Sequence, residues 1–402
     1  MSEKIVVKPA PTQKLKLKTS MKIPLAWLQL SREKIRLLVA IAGIGFADIL
    51  MFMQLGFRDA LFESNVTLHN KLKGDIFLIS PQSTSTIAMK SFPQRRLYQA
   101  LGFEGVQSIS PLYMDFGLWK NPQNRATRAI MVLGFNPANP VLELPDVNRN
   151  LNKIKIENGV LFDDTSRPEY GSIAQLFRQN EEVTTEVEER RIRVVGLFSL
   201  GASFAADGNI VTSDLNFLRI FPRRDKGLID IGIVQLQPGA NIQTVLTDMR
   251  QEFPDDVTIL SKQEFINFEK NYWQTSTAIG FVFTLGTIMG FVVGTVIVYQ
   301  ILYTDVSDHL PEYATLKAMG YTHRYLLMVV FQEALILAIL GYIPGMVIAS
   351  GLYGLTKAAT RLPMMMSLTK TITILILTII MCCVSGAIAV RKLKAADPAD
   401  IF

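Results

Sequence analysis

The chain carries four long apolar stretches, placed unevenly at residues 35–55, 278–303, 326–355 and 372–390. At about 1.5 Å of rise per residue, each can cross a hydrocarbon layer of about 30 Å. Lipid offers an exposed backbone no hydrogen-bond partner, so such runs must satisfy themselves as helices. Between the first and second stretch lies a polar block, residues 57–276, long enough to bury a core of its own. The pattern predicts an α-helical membrane protein with four transmembrane helices. A large α+β domain is inserted between helices one and two.

Net charge is +6, and its placement says more than its size. Lys4, Lys8, Lys14, Lys16, Lys18, Lys22, Arg32, Lys34 and Arg36 precede or open the first span, while Arg391, Lys392 and Lys394 follow the last. The positive-inside bias then puts both termini in the cytoplasm and the inserted domain outside. The expected order is a basic leader (1–34), span one (35–56), stalks and exterior domain (57–276) and span two (277–303). An inner loop (304–324), span three (325–356), a short outer loop (357–370), span four (371–390) and a cytoplasmic tail (391–402) complete it. Basic residues beside a span read as a topology signal or a contact with anionic membrane lipid, not as a nucleic-acid site. The first stretch exceeds the h-region of about 7–15 residues in a cleaved signal, which predicts a retained anchor.

The only cysteines, Cys382 and Cys383, are neighbours in the last stretch, so no disulfide framework is expected outside. His69, His309 and His323 are the only histidines, which leaves little material for a Cys/His metal site. Within the block, residues 57–73 keep an apolar rhythm and predict a stalk continuing the first span. Residues 75–118 and 229–260 each read as strand, helix, strand, and the two units should pair into one lobe. A β-rich piece at about 137–225 should ride on that lobe, with the charge run at 181–193 as a solvated hairpin. Residues 261–276 predict the returning stalk.

Three features of the spans and inner loop are candidate sites. Gly286, Gly290 and Gly294 recur at four-residue spacing, which admits a neighbouring helix closely, either within the chain or in a second subunit. Asp48 is the only acid in the first span; its cost in hydrocarbon predicts that it faces protein or water. In the inner loop, Pro311 and Gly320 bracket a short helix in which Tyr313, Leu316 and Met319 should line an apolar side, with Glu312 and Lys317 polar. A helix this short needs a surface to dock on, either a partner protein or the lipid interface. The sequence holds no GxxxxGK[ST], no GxSxG and no GxGxxG after a strand, so no nucleotide cofactor site or catalytic residue is expected in this chain.

The inner-loop helix reads EYATLKAMG, and with one span, a large insert and three further spans it resembles the FtsX/MacB class of ABC-transporter permeases. VLFDDTSRPEYG (160–171), VVGLFSLGASFAADGNIVTSD (194–214) and VIVYQILYTDVSDHLPEYATLKAMGY (296–321) bring the resemblance closest to the DevC-type permeases of cyanobacteria, membrane subunits of a glycolipid exporter. It runs from about Pro24 onward and leaves the basic leader out. The resemblance implies a MacB-like, type VII ABC permease fold in a bacterial inner membrane, and a homodimer served by two copies of a separate ABC ATPase that binds ATP and Mg. Glu312, Tyr313, Leu316, Lys317, Met319 and Gly320 would form the coupling helix that meets the ATPase. The exterior, periplasmic domain would meet an adaptor joined to a TolC-like outer-membrane channel, and movement rather than a pore would expel cargo. An FtsX-like signalling scaffold acting on an envelope hydrolase, or an exporter of peptides or macrolides, are the alternatives. An exterior enzyme would have to draw on acids such as Asp163, Asp164, Glu169 and Asp207.

Overall fold

In the computed structural model, residues 25–390 are described. The basic residues of the leader up to Lys22, and the tail from Arg391, lie outside them. Helices α1 (Leu25–Arg32) and α2 (Lys34–Lys71) open the chain. Strands β1 (Ile76–Ile79), β2 (Phe92–Pro93), β3 (Val106–Lys120) and β4 (Thr127–Phe135) follow, with helix α3 (Arg95–Gln99) between β2 and β3. Next come α4 (Pro145–Arg149), α5 (Leu151–Ile154), β5 (Gly159–Asp163), α6 (Ile173–Arg178), β6 (Thr184–Val187) and β7 (Arg190–Phe198). Then β8 (Asn209–Ser213), α7 (Asp214–Ile220), β9 (Leu228–Ile229), β10 (Ile231–Leu236), α8 (Ile242–Glu252), β11 (Thr258–Ser261) and α9 (Lys262–Asn271) complete the domain. The last helices are α10 (Ala278–Asp308), α11 (Leu310–Ala318), α12 (His323–Thr360) and α13 (Leu368–Ala389).

Four of these helices, α2, α10, α12 and α13, are long and apolar enough to span a membrane. The chain is thus a four-helix membrane protein with a large α+β domain between its first and second spans. By contacts it divides into two bodies. Among the described residues, 45–293 and 343–377 form one; 25–44, 294–342 and 378–390 form the other.

The inserted domain is built on one nine-stranded sheet, ordered β11-β1-β10-β3-β4-β8-β5-β7-β6. The two strand–helix–strand units interleave at one end, where β1 lies between β10 and β11, antiparallel to both. Consecutive side chains of a strand face opposite sides, and in β1 both sides are apolar because both are covered. Ile76 and Leu78 enter one core with Leu97, Leu246 and Met249 from the helices above. Phe77 and Ile79 enter the other, with Leu68 of α2, Leu72 just beyond it and Phe265 of α9.

The residues expected as a β-rich piece supply β5 to β8, which extend the same sheet beyond β4. Trp119 near the end of β3 also pairs with Val187 of β6, so the far strands curl back toward β3. Trp119, Phe162 and Tyr170 fill the inside of that curl. Length is what lets β3 serve both ends: its 15 residues pair first with β10 and then with β4.

The stalk is continuous with the first span, as α2 runs 38 residues without interruption. Its end is held by the domain's base. Lys73 N–H donates to Val141 O (2.8 Å), and the Lys262 ammonium caps the Leu72 carbonyl (2.8 Å). A cation on a terminal carbonyl satisfies an acceptor that the helix itself leaves open. The returning α9 begins at a capping box, Ser261 with Glu264, in which each side chain satisfies a backbone N–H of the other.

Candidate functional site

Where α10 ends, the chain turns at once into α11, whose nine residues are too few to hold a helix without support. Pro311 is tolerated in its first turn, where N–H groups have no intrahelical acceptor. Gly320 takes φ of 93°, the left-handed conformation that ends helices, and Tyr321 N–H reaches back to Leu316 O (3.1 Å).

The expected apolar ridge is divided by the fold. Tyr313 is 1% exposed and packs with Val306, Val330 and Val390. Leu316 is partly buried against that same group, and only Met319 stands in the open, at 64% exposure. The outward face is Pro311, Glu312, Thr315 and Met319. Tyr313 and Leu316, expected on the docking side, are instead covered by this chain's own helices. Sequence alone could not say that α12 and the end of α13 would come round to cover them. Nothing is described of the Lys317 side chain.

A second layer braces this corner. Arg36 Nη2 donates to Asp308 Oδ2 at 2.6 Å, and Arg36 Nη1 stands 2.6 Å from Glu33 Oε2 and 3.8 Å from Asp305 Oδ1. Asp305 is 4% exposed, and its backbone carbonyl lies 3.1 Å from His309 Nδ1. Glu333 of α12 interacts with Asp305 and is fully buried. The start of α2, the end of α10, α11 and α12 therefore meet around one charged cluster. Sequence reading took Arg36 as a topology signal and passed over Asp305 and Asp308; a basic residue and two acids at facing span ends were the available sign.

The intramembrane candidates pack inside the chain. Asp48 is fully buried, and a Cβ built on Gly345 would lie 3.1 Å from the Asp48 Cβ and 3.0 Å from Gly45 O. At Gly286 the same test meets Gln54, and at Gly290 it meets Met51 at 3.1 Å, so this part of the glycine edge lies against α2 of the same chain. Gly294 is buried. Gly341 and Gly345, also four residues apart, meet atoms that yield less easily, a β-branched side chain and a backbone. A Cβ on Gly341 would come within 2.6 Å of the Ile44 Cβ.

In the lobe, the acids an enzyme would need are occupied in holding loops. Asp163 is buried and accepts from Thr165 N, Leu200 N, Gly201 N and Asn209 Nδ2. Asp164 pairs with Arg178, Glu169 with Arg128, and Asp207 with both Arg128 and Arg167. Burial raises the Tyr170 hydroxyl well above the ordinary tyrosine range, and it donates to Ala129 O in the same network. Among the described residues no three His, Cys, Asp or Glu side chains gather as a metal site requires.

Residues 283–398 match the family described as FtsX-like permease C-terminal. The match takes in α11, Asp305, Asp308 and Glu333. A search of the curated proteins finds no match to the chain. Among solved structures, the periplasmic region of MacB from Actinobacillus actinomycetemcomitans overlays with TM-score 0.34 at 10% identity, covering 51% of this chain and 96% of that one. The extracellular domain of the ABC-type transporter YknZ from Gram-positive bacteria overlays with TM-score 0.31 at 11% identity, covering 47% and 100%. Likenesses of that size say nothing of what this chain does.

Proposed function

We propose that the chain is the membrane subunit of an ABC-type transporter whose ATP hydrolysis resides in a separate protein. The observation that carries this reading is the FtsX-like permease match over 283–398, which falls on the corner where α11 is packed and braced. A helix pinned by Tyr313 on one face and bare on the other suits a part that receives a push. Glu312 and Met319 supply the bare face, and Arg36 ties the neighbouring span end to α2. On this reading α11 faces the cytoplasm and the inserted domain lies in the periplasm of an inner-membrane protein. The chain works as a homodimer with two ATPase copies, and α2 carries movement outward as a mechanical transmitter. The lobe hands cargo to an adaptor and a TolC-like channel, and the DevC-like stretches make a glycolipid the cargo.

Extraction in mild detergent tests it: a P-loop ATPase should co-purify, and Met319→Asp should lose that partner while the chain stays folded. Recovery of the chain without any ATPase, from cells that express its neighbours, would sink the proposal. Deleting the gene should strip a glycolipid from the outer envelope; unchanged lipids with failed cell separation would move the function to envelope signalling.

A further inference from the structure

One buried polar cluster in the lobe lies outside everything assigned above. Glu269 of α9 is fully buried, and its carboxylate is shared among three donors. Thr86 N–H and Thr86 Oγ1 both donate to Oε2 at 2.7 Å, and Trp273 Nε1 donates to Oε1 at 2.8 Å. His69, near the end of α2, brings its Nε2 to 3.4 Å from Thr86 Oγ1, and its ring packs on Phe265 (4.4 Å between centroids). A charge-bearing group taken out of water is costly unless its partners are fixed, so the site holds its neighbours in one geometry. Those neighbours belong to both stalk ends and to the loop between β1 and β2.

Immediately after this cluster the returning stalk changes character. Residues Tyr272–Ser276 form a π-helical turn, and Thr277 is extended at φ −119°, ψ 150°, so α9 is not continuous with α10. Wide turns of this kind are rare and weaken the regular ladder where they occur. The outgoing stalk α2 has no such interruption.

We propose that Glu269 is a positioning residue that locks the ends of α2 and α9 and the 83–90 loop into one body, leaving the turn at 272–277 as the point where the returning chain flexes. The inference rests on the transporter reading for its purpose and for the nucleotide arm of its test, while the variant arm is independent of it. Labels are placed at Asn70 and Asn267, both exposed, and in a second sample at Asn267 and the exposed Phe281, in a chain with Cys382 and Cys383 replaced by alanine. Distances are measured by pulsed electron resonance in the full chain with its ATPase, with and without nucleotide.

The 70–267 distance should remain one narrow population in every state, while the 267–281 distance shifts with nucleotide. Glu269→Gln and, independently, Thr86→Val should split the 70–267 distance into two populations. A narrow 70–267 distance in both variants, or a broad one in the parent chain, overturns the joint. If no pair responds to nucleotide while the variants still split 70–267, the lock at Glu269 stands and the flexing turn falls together with the transporter reading.

Discussion

The Arg36 guanidinium and the Asp308 carboxylate stand 2.6 Å apart although 272 residues separate them in sequence. The pair joins the first turn of α2 to the last turn of α10, and the side chains are 30% and 50% exposed. Exposed ion pairs contribute about 0–1 kcal/mol, so this contact matters more for where the helix ends sit than for overall stability.

Replacing Arg36 by Gln should accordingly lower the melting temperature only slightly while, on the proposed transporter reading, reducing transport per ATP hydrolysed. Glu33 and Asp305, which share the same guanidinium, lose their partner too. Parallel measurement of unfolding and of coupled transport checks this. A large loss of stability with coupling intact would show that the cluster merely holds the fold.

Tyr313 separates packing from docking on α11. Truncation to Ala removes a buried ring and should cost about 3–5 kcal/mol, the range for large-to-small changes in a core. Met319→Ala, at an exposed site, should leave thermal unfolding nearly unchanged. If the two variants unfold alike, the assignment of inward and outward faces is reversed.

The glycines of the spans should sort by what a methyl group would strike. Gly341→Ala meets the Ile44 Cβ, and Gly345→Ala meets backbone at Gly45, so each must separate two helices, at about 1–3 kcal/mol. Gly286→Ala meets only the flexible end of Gln54 and should be tolerated. Gly351 and Gly354 face open space, where Ala should gain up to about 1 kcal/mol through helix propensity. Unfolding in detergent ranks the set, and a destabilised Gly286→Ala beside a neutral Gly345→Ala would contradict the packing described.

Asp230 gives the lobe a pH dependence of defined sign. Burial raises its carboxyl above the usual carboxylate range, against the pull of Arg224 and the Met114 N–H bond, with Asp115 adding to the rise. The fold then binds this proton more tightly than the unfolded chain does. Its stabilising contribution is full below about pH 4 and is lost as pH rises through the folded value. Asp230→Asn should flatten that part of the stability profile above pH 4, followed by tryptophan fluorescence. An unchanged slope would place the titration elsewhere.

Periodicity made the spans and the interleaved units legible. Apolar length fixed α2, α10, α12 and α13, and two strand–helix–strand patterns at opposite ends of the block turned out to be neighbours in one sheet. Their order within it was not legible, because β3 gives no sign in sequence that half of it pairs with β10 and the other half with β4. At the inner corner, helix α11 could be read from Pro311 and Gly320. Which side of it faced out could not, since that depends on Val330 and Val390, distant residues that local spacing cannot place. The Gly341–Gly345 approach has no counterpart in the sequence reading, because a four-residue spacing does not say which atoms a glycine will meet.

The unbroken course of α2 has one more consequence. At 1.5 Å per residue its 38 residues make a shaft about 57 Å long. A continuous helix resists torsion as well as compression, so a twist applied along it would turn His69 about the same axis. The return past Thr277, where the helix is interrupted, has no such continuity with which to resist a twist.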